Sequence, residues 1–298
     1  MNPENLENFL NKKTKLPKII IIYGPTACGK TALSIDIARK LETEIIGADS
    51  RQIYKLLDIG TGKIKEEEKK GIKHHMIDFL NIDEEYSVGE YKKEAERLIL
   101  EIHNKGKIPV ICGGTGLYLD SIAFNFDIPE IKPDWVYREE LEKIRLEKGN
   151  EFIWKMLEKI DSEYANELEI NNHRYVIRGL EIFSQTGKSK KELKKKLPPK
   201  YDILFITPYD GDRQKLYSRI NSRIEEMFSE GLLEEVNNIL AKGYSKTDFG
   251  LNTIGYKEII TYLEGNITIE ESKDLIKQHN RNYAKRQLTW FRKYENYK

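Results

Sequence analysis

The sequence has almost no cysteine. Only Cys28 and Cys112 occur in 298 residues. Two are too few for a disulfide framework or a zinc finger, and a reducing compartment is the natural setting. Long apolar runs are also missing, since no stretch approaches the roughly 20 residues that span a bilayer. The polar start Met1-Asn2-Pro3-Glu4 has no apolar signal segment. A cytoplasmic protein with no membrane partner is the expectation. Nor is there an excess of charge. Fifty Lys and Arg against 49 Asp and Glu leave a net charge of +1, so nothing global calls for nucleic acid or a charged surface. No internal repeat is evident.

The hydrophobic content of 39% suffices for one large domain, or for a core carrying a smaller one. The charge is unevenly spread. Residues 171–200 hold nine Lys and Arg against two Glu, and residues 273–298 hold eight against two acids. Two basic islands in a neutral chain point to polyanion contact at chosen places. The Lys190–Lys196 run by itself reads rather as a solvated face or linker.

The strongest local signal is Gly24-Pro25-Thr26-Ala27-Cys28-Gly29-Lys30-Thr31. It fits G-x-x-x-x-G-K-[ST], a loop whose backbone N–H groups cradle phosphates while the hydroxyl of its last residue holds Mg²⁺. Its flanks agree. Residues 18–23 are a β-branched run that reads as a buried parallel strand. Residues 31–41 place Leu33, Ile37, Ala38 and Leu41 at helical spacing. The protein therefore holds a phosphorylated ligand, by default a nucleotide such as ATP.

A second strand, 44–48, ends at Asp49-Ser50. Ligands of parallel α/β sheets lie beyond the carboxyl ends of the strands, so Asp49 faces the same edge as the phosphate loop. On position alone it serves equally well as the N-cap of a helix over 50–57. A glycine-rich loop follows, within residues 51–65. His74 and His75 are neighbours on an extended segment, point to opposite sides and lack a third ligand, so they read as structural. Residues 86–105 form a helix with Tyr91, Ala95, Leu98, Ile99 and Ile102 on one face. The strand 108–112 ends in Gly113-Gly114-Thr115-Gly116, where many phosphate-loop enzymes place an Asp for Mg²⁺. Glycines there admit close backbone approach. A later strand near 204–207 has Asp210 beyond it, a weaker Mg²⁺ candidate.

Pro129 and Pro133 mark a change of character. From 134 to about 199 no strand is convincing, and Leu141, Ile144, Phe152, Met156, Leu157 and Ile160 supply helical faces. The expected fold is α/β, a P-loop NTPase-like parallel sheet core with a helical insertion domain. The core occupies 1–126 and 199–298, and the insertion 127–198. Inside the insertion Arg174 and Arg178 stand four apart on one helix face. A helix over 212–228 buries Leu216, Ile220, Ile224 and Met227. Beside that stripe Arg219 and Arg223 form a pair suited to a pyrophosphate, or a surface pair with Glu226 or Glu230. The last helix, 270–295, interleaves Arg281, Lys285 and Arg292 with Tyr283, Trp290 and Phe291. That pattern suits single-stranded nucleic acid, and for the aromatics ordinary packing just as well.

Nine blocks agree on one family: GPTACGKT (24–31), GADSRQIY (47–54), DIGTGK (58–63), HHMID (74–78), GGTGLY (113–118), RGLEIF (178–183), LYSRINSRIEEM (216–227), NTIGYKE (252–258) and AKRQLTWFR (284–292). In this order, over almost the whole chain, they resemble the bacterial-type tRNA dimethylallyltransferases. The resemblance implies transfer of a dimethylallyl group from dimethylallyl diphosphate to N6 of the adenosine 3′ of the anticodon in tRNA. It implies that Asp49 is the general base and that Asp49, Ser50, Arg51 and Gln52 touch the target nucleotide. Further tRNA contacts match Thr115, Arg138, Arg174, Tyr175, Arg178, Asn252, Thr253, Gly255, Tyr256 and Lys257. The basic face of the last helix adds Arg281 and Lys285. The chain departs from the family in having Cys28 where Ser is common and Tyr175 where a second Arg is common. It lacks the zinc-finger extension of eukaryotic members.

The chemistry suits these residues. The loop Gly24, Pro25, Thr26, Ala27, Cys28, Gly29, Lys30, Thr31 would hold the diphosphate of the donor. Thr26, Lys30, Arg219, Arg223 and a Thr31-held Mg²⁺ would stabilise charge growing on the leaving group. Asp49 would take the proton of the adenine amine, which favours its catalytic reading, and Gln52 could read a neighbouring base. A kinase would want an acid where Gly113-Gly114-Thr115 stand. An RNA-binding module would need no base. An enzyme of free adenylate would need neither the long insertion nor the basic islands. A monomer acting on the tRNA anticodon stem-loop is the expectation.

Overall fold

The computed structural model describes residues 3–128, 131–193 and 197–297. Pro129 and the Lys194–Lys196 end of the basic run lie outside the described residues. The chain forms two compact units, residues 1–123 with 199–298, and residues 124–198.

The larger unit contains five strands: β1 (Lys18–Tyr23), β2 (Ile45–Gly47), β3 (His74–His75), β4 (Val110–Gly113) and β5 (Asp202–Ile206). All pair in parallel, in the order β3-β2-β4-β1-β5. Ile19 to Ile22 are completely buried, which is why this strand reads as an unbroken apolar run rather than an alternating one. The register fixes the site. Ile22 of β1 and Gly47 of β2 both stand opposite Cys112 of β4. Gly24, Asp49 and Gly114, two residues further on in each case, therefore leave the sheet at one level of its carboxyl edge.

The helix Lys30–Lys40 follows the phosphate loop, and Val88–Asn104 buries the expected face of Tyr91, Ala95, Leu98, Ile99 and Ile102. Ser87 and Glu90 close the start of that second helix reciprocally. No helix forms over 50–57, where the chain runs in turns. Asp49 makes one such turn itself, its Oδ1 accepting the N–H of Arg51 at 2.9 Å and of Gln52 at 3.4 Å. A short Asx-type turn satisfies those amides without a helix behind it. The paired histidines are structural. His75 Nε2 lies 2.7 Å from Glu44 Oε2, and His74 Nδ1 lies 2.8 Å from the Ile72 carbonyl. Among the described residues no group of three His, Cys, Asp or Glu is placed to hold a metal.

A second core lies among the helices Arg213–Ser229, Leu232–Ala241, Tyr256–Leu263 and Ile269–Phe291. Ile224, Met227, Leu232, Val236, Ile259 and Ile276 are buried in it. The end of the last helix and the turn after it are pinned to the helix Gly116–Ala123 by Asp120, a carboxylate that is 1% exposed. It accepts from Trp290 Nε1 at 3.0 Å and Tyr294 Oη at 2.6 Å, and it pairs with Lys293. Burial, then the Asp120 charge, push the Tyr294 phenol far above its ordinary pKa. Among the described residues no helix is long and apolar enough to cross a membrane.

The smaller unit packs the helices Trp135–Lys148, Asn150–Ile160 and His173–Thr186 around Leu141, Ile153, Leu157, Val176 and Leu180. Its described residues include no strand. A completely buried carboxylate, Glu181, ties it together. Glu181 accepts from the Asp134 amide at 2.6 Å and from Arg138 at 2.9 and 3.0 Å, and it pairs with Arg178.

Removing a buried carboxylate strands the donors around it. We expect Asp120→Ala to cost about 3 kcal/mol in urea unfolding. A loss below about 0.5 kcal/mol would contradict the pinning role.

Candidate active site

The loop 24–31 joins β1 to the helix Lys30–Lys40. Gly24 lies at φ 147°, and a Cβ there would sit 2.9 Å from Cys28 Sγ. Gly29, at φ 93°, turns the chain into the helix. Lys30 Nζ donates across the loop to the Pro25 carbonyl at 2.7 Å. Cys28 is a buried thiol. Burial raises its pKa, and the nearby Lys30 and Arg219 charges only partly oppose this.

Close approaches assemble the rest of the edge. A Cβ on Gly113 would stand 2.0 Å from the Ala48 carbonyl oxygen, one on Gly114 would stand 2.4 Å from Gln287 Nε2, and one on Gly116 would strike the Trp290 ring at 2.3 Å. Gln287 reaches in from the last helix. Its Oε1 accepts the Thr26 N–H at 2.9 Å, and its Nε2 donates to the Gly114 carbonyl at 2.8 Å. One side chain thus bridges the phosphate loop to the end of β4. Thr115 Oγ1 accepts the Ser50 N–H at 2.9 Å and so fixes the residue after Asp49.

These elements enclose a cleft of about 280 Å³. Thr26, Ala27, Asp49 and Arg223 supply its polar side, and Ile220, Ile224, Met227 and Ile276 its apolar side. Asn252, Thr253 and Gly255 line it from one loop, and Asn280, Tyr283 and Arg286 from the last helix. Arg223 is the half-buried member of the arginine pair, and Arg219 the exposed one. Burial lowers its pKa, and Asp49 is the strongest of the charges that oppose this. Its Nη2 donates to the Gly62 carbonyl at 3.3 Å. A Cβ on Gly62 would lie 1.4 Å from that nitrogen, so the glycine makes the arginine's place. Burial, then the Asp49 charge, raise the Tyr283 phenol, which stays a neutral hydroxyl. The cleft can therefore combine one edge of the phosphate loop, a half-buried cation, a carboxylate and an apolar wall.

The expected site residues divide. Thr26, Ala27, Asp49, Ser50, Arg51, Arg223, Asn252, Thr253 and Gly255 come together in the cleft. Arg219 is exposed and not among the cleft residues, although its charge reaches Cys28. Lys257 and Lys285 are exposed. Several expected RNA contacts are engaged inside the protein. Tyr256 is completely buried and donates to Glu235 at 2.5 Å. Gln52 Nε2 donates to the carbonyls of Thr61 and Gly62, at 3.1 and 3.2 Å, so its donors are taken from base reading. The Thr115 hydroxyl serves Ser50. Arg281 donates to Asn221 at 2.8 Å. In the smaller unit Arg138 and Arg178 belong to Glu181, and Arg178 also donates to the Ile131 carbonyl at 2.8 Å. Arg174 and Tyr175 are exposed there, with Lys190 Nζ 5.4 Å from the Tyr175 ring. Asp210 is an exposed partner of Lys215 at 2.9 Å and is not among the cleft residues. Sequence reasoning missed Gln287 and Glu235, although the block 284–292 contains the first.

Known proteins are similar to this chain over most of its length. A family model described as IPP transferase matches residues 52–294. The tRNA dimethylallyltransferase of Alkaliphilus oremlandii (strain OhILAs) is 46% identical over 281 residues, 94% of this chain and 90% of that one. The chain belongs to the tRNA dimethylallyltransferase family. The enzyme of Carboxydothermus hydrogenoformans is 47% identical over 93% of this chain and 89% of its own length. The tRNA isopentenylpyrophosphate transferase of Bacillus halodurans superposes with a TM-score of 0.67 at 41% identity, covering 92% of this chain and 86% of that one. A eukaryotic dimethylallyltransferase acting on tRNA superposes at 0.79 with 33% identity, over 92% and 70%.

Gly62 gives this site a direct test. An alanine there would have to hold φ 56°, at a cost of about 1–2 kcal/mol, and would displace Arg223. We expect Gly62→Ala to lower transferase activity more than about tenfold, beyond what that stability loss explains. Wild-type activity in a folded variant would refute the placement of Arg223.

Proposed function

We propose that the protein transfers a dimethylallyl group from dimethylallyl diphosphate to N6 of the adenosine next to the anticodon, on its 3′ side, in tRNA, and releases diphosphate. The observation that carries this reading is the sharing of one cleft by Asp49, Arg223 and two residues of the phosphate loop, Thr26 and Ala27. A nucleotide kinase would favour a metal-holding acid after β4, where this chain has Gly114 and Thr115.

In this reading the phosphate loop and Lys30 cradle the diphosphate, and Arg223 and Arg219 add cationic donors. These groups stabilise negative charge as the allylic C–O bond breaks. The adenine N6 attacks the allylic carbon, and Asp49 accepts the N6 proton as the C–N bond forms. The target base leaves its stack to enter the cleft, at a cost of a few kcal/mol that an unpaired loop base lowers. Thr31, exposed at the start of the loop's helix, suits a Mg²⁺ held mainly by water and substrate phosphates, which is how this small ion commonly binds. When bound, the ion would neutralise the diphosphate further.

The tRNA contacts we assign are Ser50, Arg51, Asn252, Thr253 and Arg286 in the cleft, and the exposed Arg174, Lys257 and Lys285. A monomer in the cytoplasm fits this work.

Asp49→Asn keeps the size and the turn of this residue and removes the base. We expect its kcat to fall about 100-fold or more, with tRNA affinity unchanged in filter binding. A full rate in the variant would remove Asp49 from the mechanism.

A further inference from the structure

The loop 58–63 that seats Arg223 is itself fastened by a side chain from another helix. Glu235 Oε2 accepts the N–H groups of Asp58 at 3.1 Å and Ile59 at 2.8 Å. Its Oε1 accepts the Gly60 N–H at 3.2 Å and the Tyr256 hydroxyl at 2.5 Å. Three successive amides aimed at one anion form a nest of the kind that elsewhere binds phosphate. Here the protein's own carboxylate fills it, so this second glycine-rich loop is not a second phosphate cradle. The fit is close, since a Cβ on Gly60 would meet the Tyr256 ring at 2.5 Å. Burial raises the Tyr256 phenol well above its ordinary pKa, which keeps it a hydrogen-bond donor.

From this clamp a short chain of contacts runs to the cleft. The Gly62 N–H donates to the Ile59 carbonyl at 2.9 Å. The Gly62 carbonyl then accepts from both Arg223 Nη2 at 3.3 Å and Gln52 Nε2 at 3.2 Å. Gln52 follows closely on Asp49, whose Oδ1 accepts the Gln52 N–H. The loop therefore links the cation of the cleft to the segment that carries its carboxylate.

We propose that Glu235, held by Tyr256, is a positioning residue for Arg223: it fixes the loop that aims the guanidinium at the donor's diphosphate. The inference rests on the reading of Arg223 as a diphosphate ligand. Hydrogen bonds to an ionised acceptor are roughly twice as strong as neutral ones. Glu235→Gln keeps the shape but replaces one acceptor oxygen with a donor that faces the loop amides, so the loop loses its anchor.

The test is a double-mutant cycle on the full-length protein, with dimethylallyl diphosphate and unmodified tRNA as substrates. Glu235→Gln is expected to lower kcat/KM for the donor by tenfold to a hundredfold, the cost of a small misplacement. It should weaken binding of inorganic diphosphate in parallel and leave tRNA binding unchanged. In an Arg223→Ala background the same change should add nothing, because no guanidinium remains to be aimed. Tyr256→Phe removes a single donor and should give a smaller loss with the same dependence on Arg223. It carries the test if Glu235→Gln does not fold. Equal losses with and without Arg223 would overturn the proposal and make Glu235 an ordinary structural residue. If Arg223→Ala alone changes neither kcat/KM nor diphosphate binding, the diphosphate role of Arg223 falls and the proposal with it. That failure is visible in the single variant, apart from any result at Glu235.

Discussion

Asp49 and the phosphate loop share one cleft because backbone meets backbone at the carboxyl edge of the sheet. The decisive contact is between Gly113 and Ala48, where a Cβ would stand 2.0 Å from the Ala48 carbonyl oxygen. Any side chain at 113 would force β2 and β4 apart at their ends. Asp49 would then swing away from the loop that leaves β1. The Ala48 N–H donates to the Cys112 carbonyl at 2.8 Å, and the Thr115 N–H to the Ala48 carbonyl at 3.0 Å. These two bonds extend the pairing just beyond the regular strands. Gln287 closes the third side by holding Thr26 and Gly114 together. The site is thus a property of the sheet edge more than of any one loop.

Much of this was legible in the amino acids, because the signals were local. A β-branched run, a glycine loop and a helical apolar stripe each follow from spacing a few residues long. The bare glycine end of β4 was also readable as a place of close approach, although not what would approach it. What stayed hidden was long-range and polar. Glu235 meets the loop at 58–60 and Gln287 meets Thr26 through side chain to backbone bonds across most of the chain. No periodicity encodes such pairings. The helix that Asp49 could have capped over 50–57 does not form, for a related reason. Asp49 caps a turn, and the amides after it find other partners, Lys55 donating to the Leu80 carbonyl at 2.8 Å.

Basic residues were the least reliable guide. Density of Arg and Lys marks a surface, but the structure sorts individual cations by the carboxylates they meet. Glu181 is a buried acid, and leaving it unpaired would be costly. It therefore takes Arg138 and Arg178, while Arg174, one turn from Arg178 on the same helix, stays exposed. In the cleft the sorting runs the other way. Arg223 gives up solvent, held by the Gly62 carbonyl and facing Asp49, and Arg219, one turn earlier, does not. A paired motif thus divides into a half-buried cation held by a backbone carbonyl and an exposed one. Preorganised charge of the first kind contributes most where it develops in the transition state.

The most direct measurement follows the transferred group. Purified protein is given labelled dimethylallyl diphosphate, unmodified tRNA and Mg²⁺, with AMP and ATP present as competing acceptors. Label on the tRNA, at the adenosine beside the anticodon, with diphosphate released in equal amount, is the expected result. Label in AMP or ATP, or none in tRNA, would contradict the assignment of this cleft to tRNA dimethylallyl transfer.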